Sequence, residues 1–259
     1  MPNNSISRRR FLQSTGAAAI WLPATVKGYT ANEMQALYID GAMQQDISKW
    51  ELDTPALCVD LNLLESNIAT MQSTMMRNGI ACRPHAKTHK TPIIAQMQMD
   101  SGSVGICTAK ISEAETMFKH GIEEILMTTT NVTPTKIRRA MTLRHSCDSF
   151  IQATDSPENA RLLSEAAEAM GVTADIVIDV DPGGHRTGIT SGQPALQLAQ
   201  LVDTLPALRL RGLLCYDGGS QHVKGFERRK TQTLERLAAA TETYDLFNGA
   251  GLNTDIFSG

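Results

Sequence analysis

Hydrophobic and polar positions along this chain switch period repeatedly, from two residues to about 3.6 and back. Short apolar runs rich in branched residues read as strands, and longer stretches with apolar residues three and four apart read as helices. Ala56–Val59 predicts a first strand, and Leu64, Ile68, Met71 and Met75 then share one helical face. That helix ends at Gly79, a residue type suited to a left-handed stop. Further strands are predicted from Ile80 to about His85, then at Val104–Thr108, Glu124–Thr128, Ser149–Ala153, Ala174–Val180, Leu208–Tyr216 and Asp255–Phe257. Helices are predicted between them. They are Thr91–Met99, a segment opened by a Ser112–Glu115 capping box and closed at Gly121, Thr135–Leu143, Pro157–Met170 behind an N-cap at Ser156, Pro194–Leu205, and Phe226–Phe247.

Strict alternation of strand and helix predicts a parallel sheet with helical crossovers. From Ile80 onward the count is seven strands with six helices between them, and eight strands would close a (β/α)₈ barrel. The expected fold class is α/β, a TIM-type barrel left incomplete, with a doubly wound sheet as the alternative. In such a barrel chemistry gathers where the strands end. The polar clusters stand there: Lys87, Lys110, Asn131, Arg186, and the run from Tyr216 to His222. An incomplete barrel leaves an unpaired apolar edge. Either the chain is a fragment, or a partner fills the gap.

Composition narrows the classes. The 259 residues are 42% hydrophobic and 20% charged, which is ordinary for a globular chain with an ample core. A net charge of −3 with no sustained basic face gives no support for a nucleic-acid partner. Five scattered cysteines without C-x-x-C spacing form neither a disulfide framework nor a zinc pattern. The longest basic run, Arg8-Arg9-Arg10, sits in Ser7–Gln13 and reads as a twin-arginine export signal. The uncharged run that follows, Ser14–Val26, is broken by Gly16 and Pro23 and is too short to span a bilayer. The expected organisation is an export signal and linker over 1–33 and a barrel domain over 50–259, delivered to the bacterial periplasm.

One segment carries most of the chemistry, Arg83-Pro84-His85-Ala86-Lys87-Thr88-His89-Lys90-Thr91. It places Lys87 just past a predicted strand, among an arginine, two histidines and a second lysine. A lysine beside other cations keeps a larger share of free amine, the form that makes a Schiff base with a carbonyl. By spacing alone the segment reads first as a solvated basic loop.

Other motifs shift that balance. Thr54-Pro55-Ala56 with Asp60-Leu61, the R-P-H-A-K-T-H-K run, and Gly105–Lys110 with Glu113-Ala114-Glu115 occur in order. Asp181-Pro182-Gly183-Gly184-His185-Arg186-Thr187-Gly188 and Tyr216-Asp217-Gly218-Gly219-Ser220-Gln221-His222 follow. Together they resemble the D-threonine aldolase and D-serine dehydratase family, whose members have the alanine-racemase-like barrel of fold-type III pyridoxal phosphate (PLP) enzymes. The resemblance runs from about Thr54 to Gly259.

It implies that Lys87 holds PLP as a Schiff base and later serves as acid and base, with His85 beside it in the catalytic group. Arg186 would sit near the cofactor's phenolic oxygen or the substrate carboxylate, keeping a positive field where negative charge develops, and Tyr216 would pack or hydrogen-bond near the cofactor. Phe257-Ser258-Gly259 would open the family's glycine-rich phosphate cradle, so Ser258 and Gly259 join the cofactor-binding set. The family also implies a C-terminal β domain that supplies a histidine with an aspartate or cysteine to a divalent metal. This sequence offers no such pair, and it stops inside the cradle, so a truncated barrel with no complete metal site is expected. The implied reaction is cleavage of D-3-hydroxy amino acids to glycine and an aldehyde. The alternatives are D-serine-type β-elimination, racemisation, or a non-catalytic PLP-binding fragment. The implied partners are a small D-amino acid and, by analogy, a second copy of the chain in a homodimer.

Overall fold

The computed structural model describes residues 28–39 and 42–259, so the expected export signal lies outside the described residues. The chain divides between Glu65 and Ser66 into two units. In the first, α1 (Ala31–Ala36) starts from a capping box in which Thr30 and Glu33 bond each other's backbone amides. It leads into the antiparallel pair β1 (Tyr38–Ile39) and β2 (Ala42–Met43). The strand expected at Ala56–Val59 does not form. No partner strand reaches it among the described residues, and Leu57 and Val59 stay exposed. An apolar alternation is only half of a strand; the other half is a neighbour to bond with.

The remaining elements follow the expected order. They are α2 (Leu61–Arg77), α3 (Pro92–Asp100), β3 (Ile106–Thr108), α4 (Ile111–Lys119), β4 (Ile125–Met127), α5 (Pro134–Ser146), β5 (Ile151–Thr154) and α6 (Pro157–Met170). Then come β6 (Ala174–Asp181), β7 (Ile189–Thr190), α7 (Gln193–Thr204), β8 (Leu208–Leu214), α8 (Phe226–Gly249) and β9 (Ile256–Ser258). The sheet order is β3-β4-β5-β6-β8-β9, every pairing parallel, and β7 adds a short parallel pairing to the end of β6 that the apolar pattern did not reveal. The expected strand before His85 is reduced to an extended stretch over residues 82–86 that bonds along the free side of β3. Among the described residues its outer edge and that of β9 remain unpaired, so the barrel is open.

Each strand sends alternate side chains to opposite faces. Ile106, Ile125, Ile176 and Leu210 meet the helices in the large core, with Met117, Met141, Leu163, Leu198 and Phe247 from the helical side. Cys107, Leu126, Ile151, Ala153, Val177 and Leu214 form a smaller apolar layer on the concave face, made of strand residues with Ile256 beside them. Gly212 is required where β8, just past a bulge in its pairing with β6, lies against β9. Its φ is +127° and a Cβ there would lie 2.0 Å from the Ile256 carbonyl oxygen.

Two caps differ in detail. Ser156 caps α6 as expected, accepting from the Asn159 amide, and Gly171 closes that helix in the left-handed region. The expected Ser112 box does not form, because α4 starts earlier, with Lys110 at its N-cap position. The Glu113 carboxylate instead turns back to accept the Ala109 amide at 2.9 Å.

Candidate active site

Lys87 owes its place to backbone bonds. The Val104 amide donates to the Cys82 carbonyl, Cys107 to Pro84, and Ala86 back to Cys107, at 2.9, 2.8 and 2.8 Å. Lys87 is the next residue, released at the strand end just after Ala86, which is wholly buried. The turn closes as the Lys90 amide reaches the Ala86 carbonyl at 2.7 Å.

Arg186 comes from the loop after β6. The Asp181 carboxylate gathers the amides of Gly183, Gly184 and His185 at 2.8 to 3.1 Å, folding the loop into a tight turn. Gly188 ends it at φ +96°, where a Cβ would lie 2.6 Å from the Asp181 nitrogen, so no side chain fits there.

The two cations converge on one ring. Lys87 Nζ lies 5.7 Å from the Tyr216 ring centroid and the Arg186 guanidinium carbon 5.4 Å from it. Among the described residues neither has an ion-pair partner. Tyr216 stands just past β8 in a loop held by Asp217, which accepts from the Ser220 hydroxyl, from the Gly219 amide at 3.0 Å and from Arg236 at 2.8 Å. Burial alone would raise the Asp217 pKa, but these hydrogen bonds outweigh it and hold the carboxyl below its ordinary range. A cavity of about 520 Å³ opens here, lined by Asp181, Arg186, Thr187, Tyr216, Gly218 and Arg236 among others. Ser258 lies at the same end, opposite Leu214 in register, and its carbonyl accepts the Cys215 amide at 2.8 Å.

Two titratable groups face into this end of the barrel. His85 is pushed down to about 4, first by burial and then by the Lys87 charge, with Glu113 opposing. Its ring bonds Thr128 and the Lys87 backbone. Asp179, 5% exposed, is pushed up to about 6, first by burial; the Thr187 hydroxyl and Arg186 pull it down while Asp155 and Asp181 raise it.

The structure thus brings Lys87, His85, Arg186, Tyr216, Ser258 and Gly259 to one end of the sheet. Three other strand-end residues go elsewhere. Lys110 opens α4 and lines a separate cavity of about 210 Å³ with Lys136 and Arg139. Asn131 is buried, donating to Gln152 and accepting from Asn159 through its carbonyl. His222 is exposed in a short 3₁₀ turn. Asp179 escaped the sequence reading although a signal existed: Asp175, Val177, Asp179 and Asp181 stand at period two in an otherwise apolar strand. Among the described residues no three metal-ligating side chains converge, and no helix is long and apolar enough to cross a membrane.

Comparison with known proteins places this geometry. The pattern of the family described as "Alanine racemase, N-terminal domain" matches residues 59–258. The chain is 33% identical over 210 residues to 3-hydroxy-D-aspartate aldolase of Paracoccus denitrificans, covering 81% of this chain and 54% of the relative. It is 31% identical over 210 residues to D-threo-3-hydroxyaspartate dehydratase of Delftia sp., covering 80% and 54%. Among solved structures it is similar to D-threonine aldolase from Filomicrobium marinum. There the TM-score is 0.77 and the identity 36%, over 79% of this chain and 55% of the other. The chain spans about half the length of these relatives.

Proposed function

Because the chain belongs to the alanine racemase N-terminal domain family, we propose that it supplies the cofactor-holding barrel of a PLP-dependent lyase. The reaction is cleavage of D-configured 3-hydroxy amino acids. The observation that carries this reading is the convergence of Lys87 and Arg186 on the Tyr216 ring, both without ion-pair partners among the described residues.

The residues present fit the cofactor. An aldehyde carrying an aromatic ring and a phosphate needs an amine, a flat face, a cation and backbone amides free of side chains. Lys87, Tyr216 and Arg186 supply the first three. The cradle is open for lack of side chains: a Cβ on Gly218 would lie 3.0 Å from the Tyr216 ring and 3.2 Å from the Arg186 guanidinium. One on Gly259 would lie 2.5 Å from the Cys215 carbonyl oxygen. Lys87 would hold the aldehyde carbon, and the backbone at Ser258 and Gly259 would receive the phosphate.

PLP, when bound, supplies an electron-accepting ring for negative charge at the substrate Cα. The chain's own residues do the rest. Arg186 keeps a fixed positive charge over the site. Tyr216 covers one side with an aromatic face, and Lys87, once free, carries a proton on Nζ. In the overall reaction the Cα–Cβ bond breaks, the β-hydroxyl proton leaves and Cα takes up a proton, so glycine and an aldehyde form without an oxidant. Similarity to the Delftia dehydratase supports a second reading, loss of water from the same substrates followed by hydrolysis of the resulting imine, which returns the water and gives a keto acid and ammonia.

Incubation of the full chain with PLP, a divalent metal and D-threonine or 3-hydroxy-D-aspartate tests the two readings. Glycine with an aldehyde supports cleavage, a keto acid with ammonia supports elimination, and neither product removes both. The Arg8-Arg9-Arg10 segment fits export of the folded protein to the bacterial periplasm. Cell fractionation should then find an Arg8→Lys, Arg9→Lys double variant retained in the cytoplasm; unchanged export would refute the assignment.

A further inference from the structure

Two histidines four residues apart, on either side of Lys87, make the same bond. His85 Nδ1 accepts the Lys87 backbone N–H at 3.3 Å, and His89 Nδ1 accepts the Thr91 backbone N–H at 3.0 Å. Each ring closes a turn onto the amide two residues on, as an asparagine side chain does in an Asx-turn. A nitrogen that accepts carries no proton, so in a neutral ring the proton sits on Nε2.

The far side of each ring meets a group that wants that proton. His85 Nε2 is 3.2 Å from Thr128 Oγ1, and the Thr128 hydroxyl in turn donates to the Thr108 carbonyl at 3.2 Å. The hydroxyl has one proton, already placed on that carbonyl, so it meets His85 as an acceptor. His89 Nε2 and Gln98 Oε1 are both buried, and neither has a well-formed hydrogen bond. Gln98 nevertheless lies near enough to hold the His89 pKa up against burial. One orphan is a donor and the other an acceptor, and each offers what the other lacks.

We propose that His85 and His89 are paired positioning residues, both held in the Nε2–H form, that clamp the turn from which Lys87 emerges and so fix the direction of its amine. The proposal rests on the reading of Lys87 as the cofactor lysine. Burial keeps both rings neutral, pushing His85 down to about 4 and lowering His89 as well. The charges that bear on His85 are Lys87 in its own segment and Glu113 from α4. For His89 the groups are Gln98 of α3 and the Thr91 backbone, neither of them charged, and both oppose the lowering by burial. A ring engaged at both nitrogens and neutral at working pH has no proton to trade with a substrate. His85 therefore acts through Lys87, not on the substrate directly.

Long-range ¹H–¹⁵N spectra of the histidine rings in the full chain test the clamp without cofactor. The result expected is Nε2–H for both rings, with His85 not titrating from about pH 8 down to about 5.5 and His89 titrating below its ordinary value. An Nδ1–H ring, or a midpoint near the ordinary value of about 6.5, overturns it. A second measurement is the rate at which borohydride traps PLP on Lys87. His85→Ala and His89→Ala should each slow trapping roughly tenfold or more, since a displaced amine loses its geometry. His85→Asn and His89→Asn, whose side-chain oxygens can accept the same amide, should recover most of that loss. Asparagine variants that fold normally yet trap no faster than alanine refute the clamp. If the wild-type chain forms no adduct on Lys87, the reading of Lys87 as the cofactor lysine fails, and the ring spectra still decide the tautomers.

Discussion

Arginines line the end of the sheet where the strands begin, two cations stand where the strands end, and the two groups keep different company. At the base, Arg209 and Arg211 both grip Asp175, whose side chain is 1% exposed, through contacts of 2.5 and 2.8 Å. Arg211 also reaches Asp255 at 3.7 Å. At the opposite end Lys87 and Arg186 share a tyrosine face and, among the described residues, have no carboxylate within ion-pair distance. Charges that close a fold are satisfied within it, because a buried ion left alone is costly. Charges left without a partner at the strand ends are available to a ligand. Barrel folds divide their labour in the same way, with stability at the base and chemistry at the top.

The contrast can be broken in several ways. Asp175→Ala, which leaves Arg209 without its carboxylate and Arg211 with only the more distant Asp255, should cost about 3 kcal/mol, the lower end for a buried pair because Arg209 is half exposed. Arg186→Ala should change stability by no more than about 0.5 kcal/mol while weakening PLP binding. Denaturant unfolding of the two variants checks both; equal losses would erase the distinction between the ends.

Asp179 gives the next effect, and its sign follows from linkage. Its folded pKa of about 6 lies above the ordinary 3.8, so the native state holds the proton more tightly. Stability should therefore fall as pH rises from about 4 to about 6, by about 3 kcal/mol for a shift of roughly two units. Asp179→Asn should match wild type below about pH 4 and exceed it above about pH 6. His85 works in the other direction. Its folded pKa of about 4 lies below the ordinary 6.5, so its contribution is present above the ordinary value and is lost as pH falls through the folded one. The two opposing slopes overlap, and thermal melts of Asp179→Asn and His85→Asn across this range should separate them.

The smallest effect concerns the shared ring. Tyr216→Phe should leave PLP affinity nearly unchanged, because the face and not the hydroxyl meets the cations. Tyr216→Leu should weaken binding about two- to fivefold, the worth of a partly exposed cation–π contact of about 0.5–1 kcal/mol. Lys110→Ala, at the start of α4, should do nothing to it.

Much of this was legible in the residues. Alternating periods gave the order of helices and strands, and the strand-end rule picked out Lys87, Arg186 and Tyr216. Direction was the part that spacing could not supply. Asn131 also stands past a strand, but it turns into a buried network with Gln152 and Asn159. Ala56–Val59 alternates like a strand and finds no neighbour. The Asp181 turn was visible as a glycine-rich motif. That its carboxylate collects three amides depends on loop geometry that composition does not encode.

Whether the cations without ion-pair partners at the strand ends form a cofactor site is decided by chemical trapping. The full chain is incubated with PLP, reduced with borohydride, digested and mapped by mass. One phosphopyridoxyl adduct is expected, on Lys87, weakened by Arg186→Ala and untouched by Lys110→Ala. No adduct, or labelling spread across Lys90, Lys110 and other surface lysines, would contradict it.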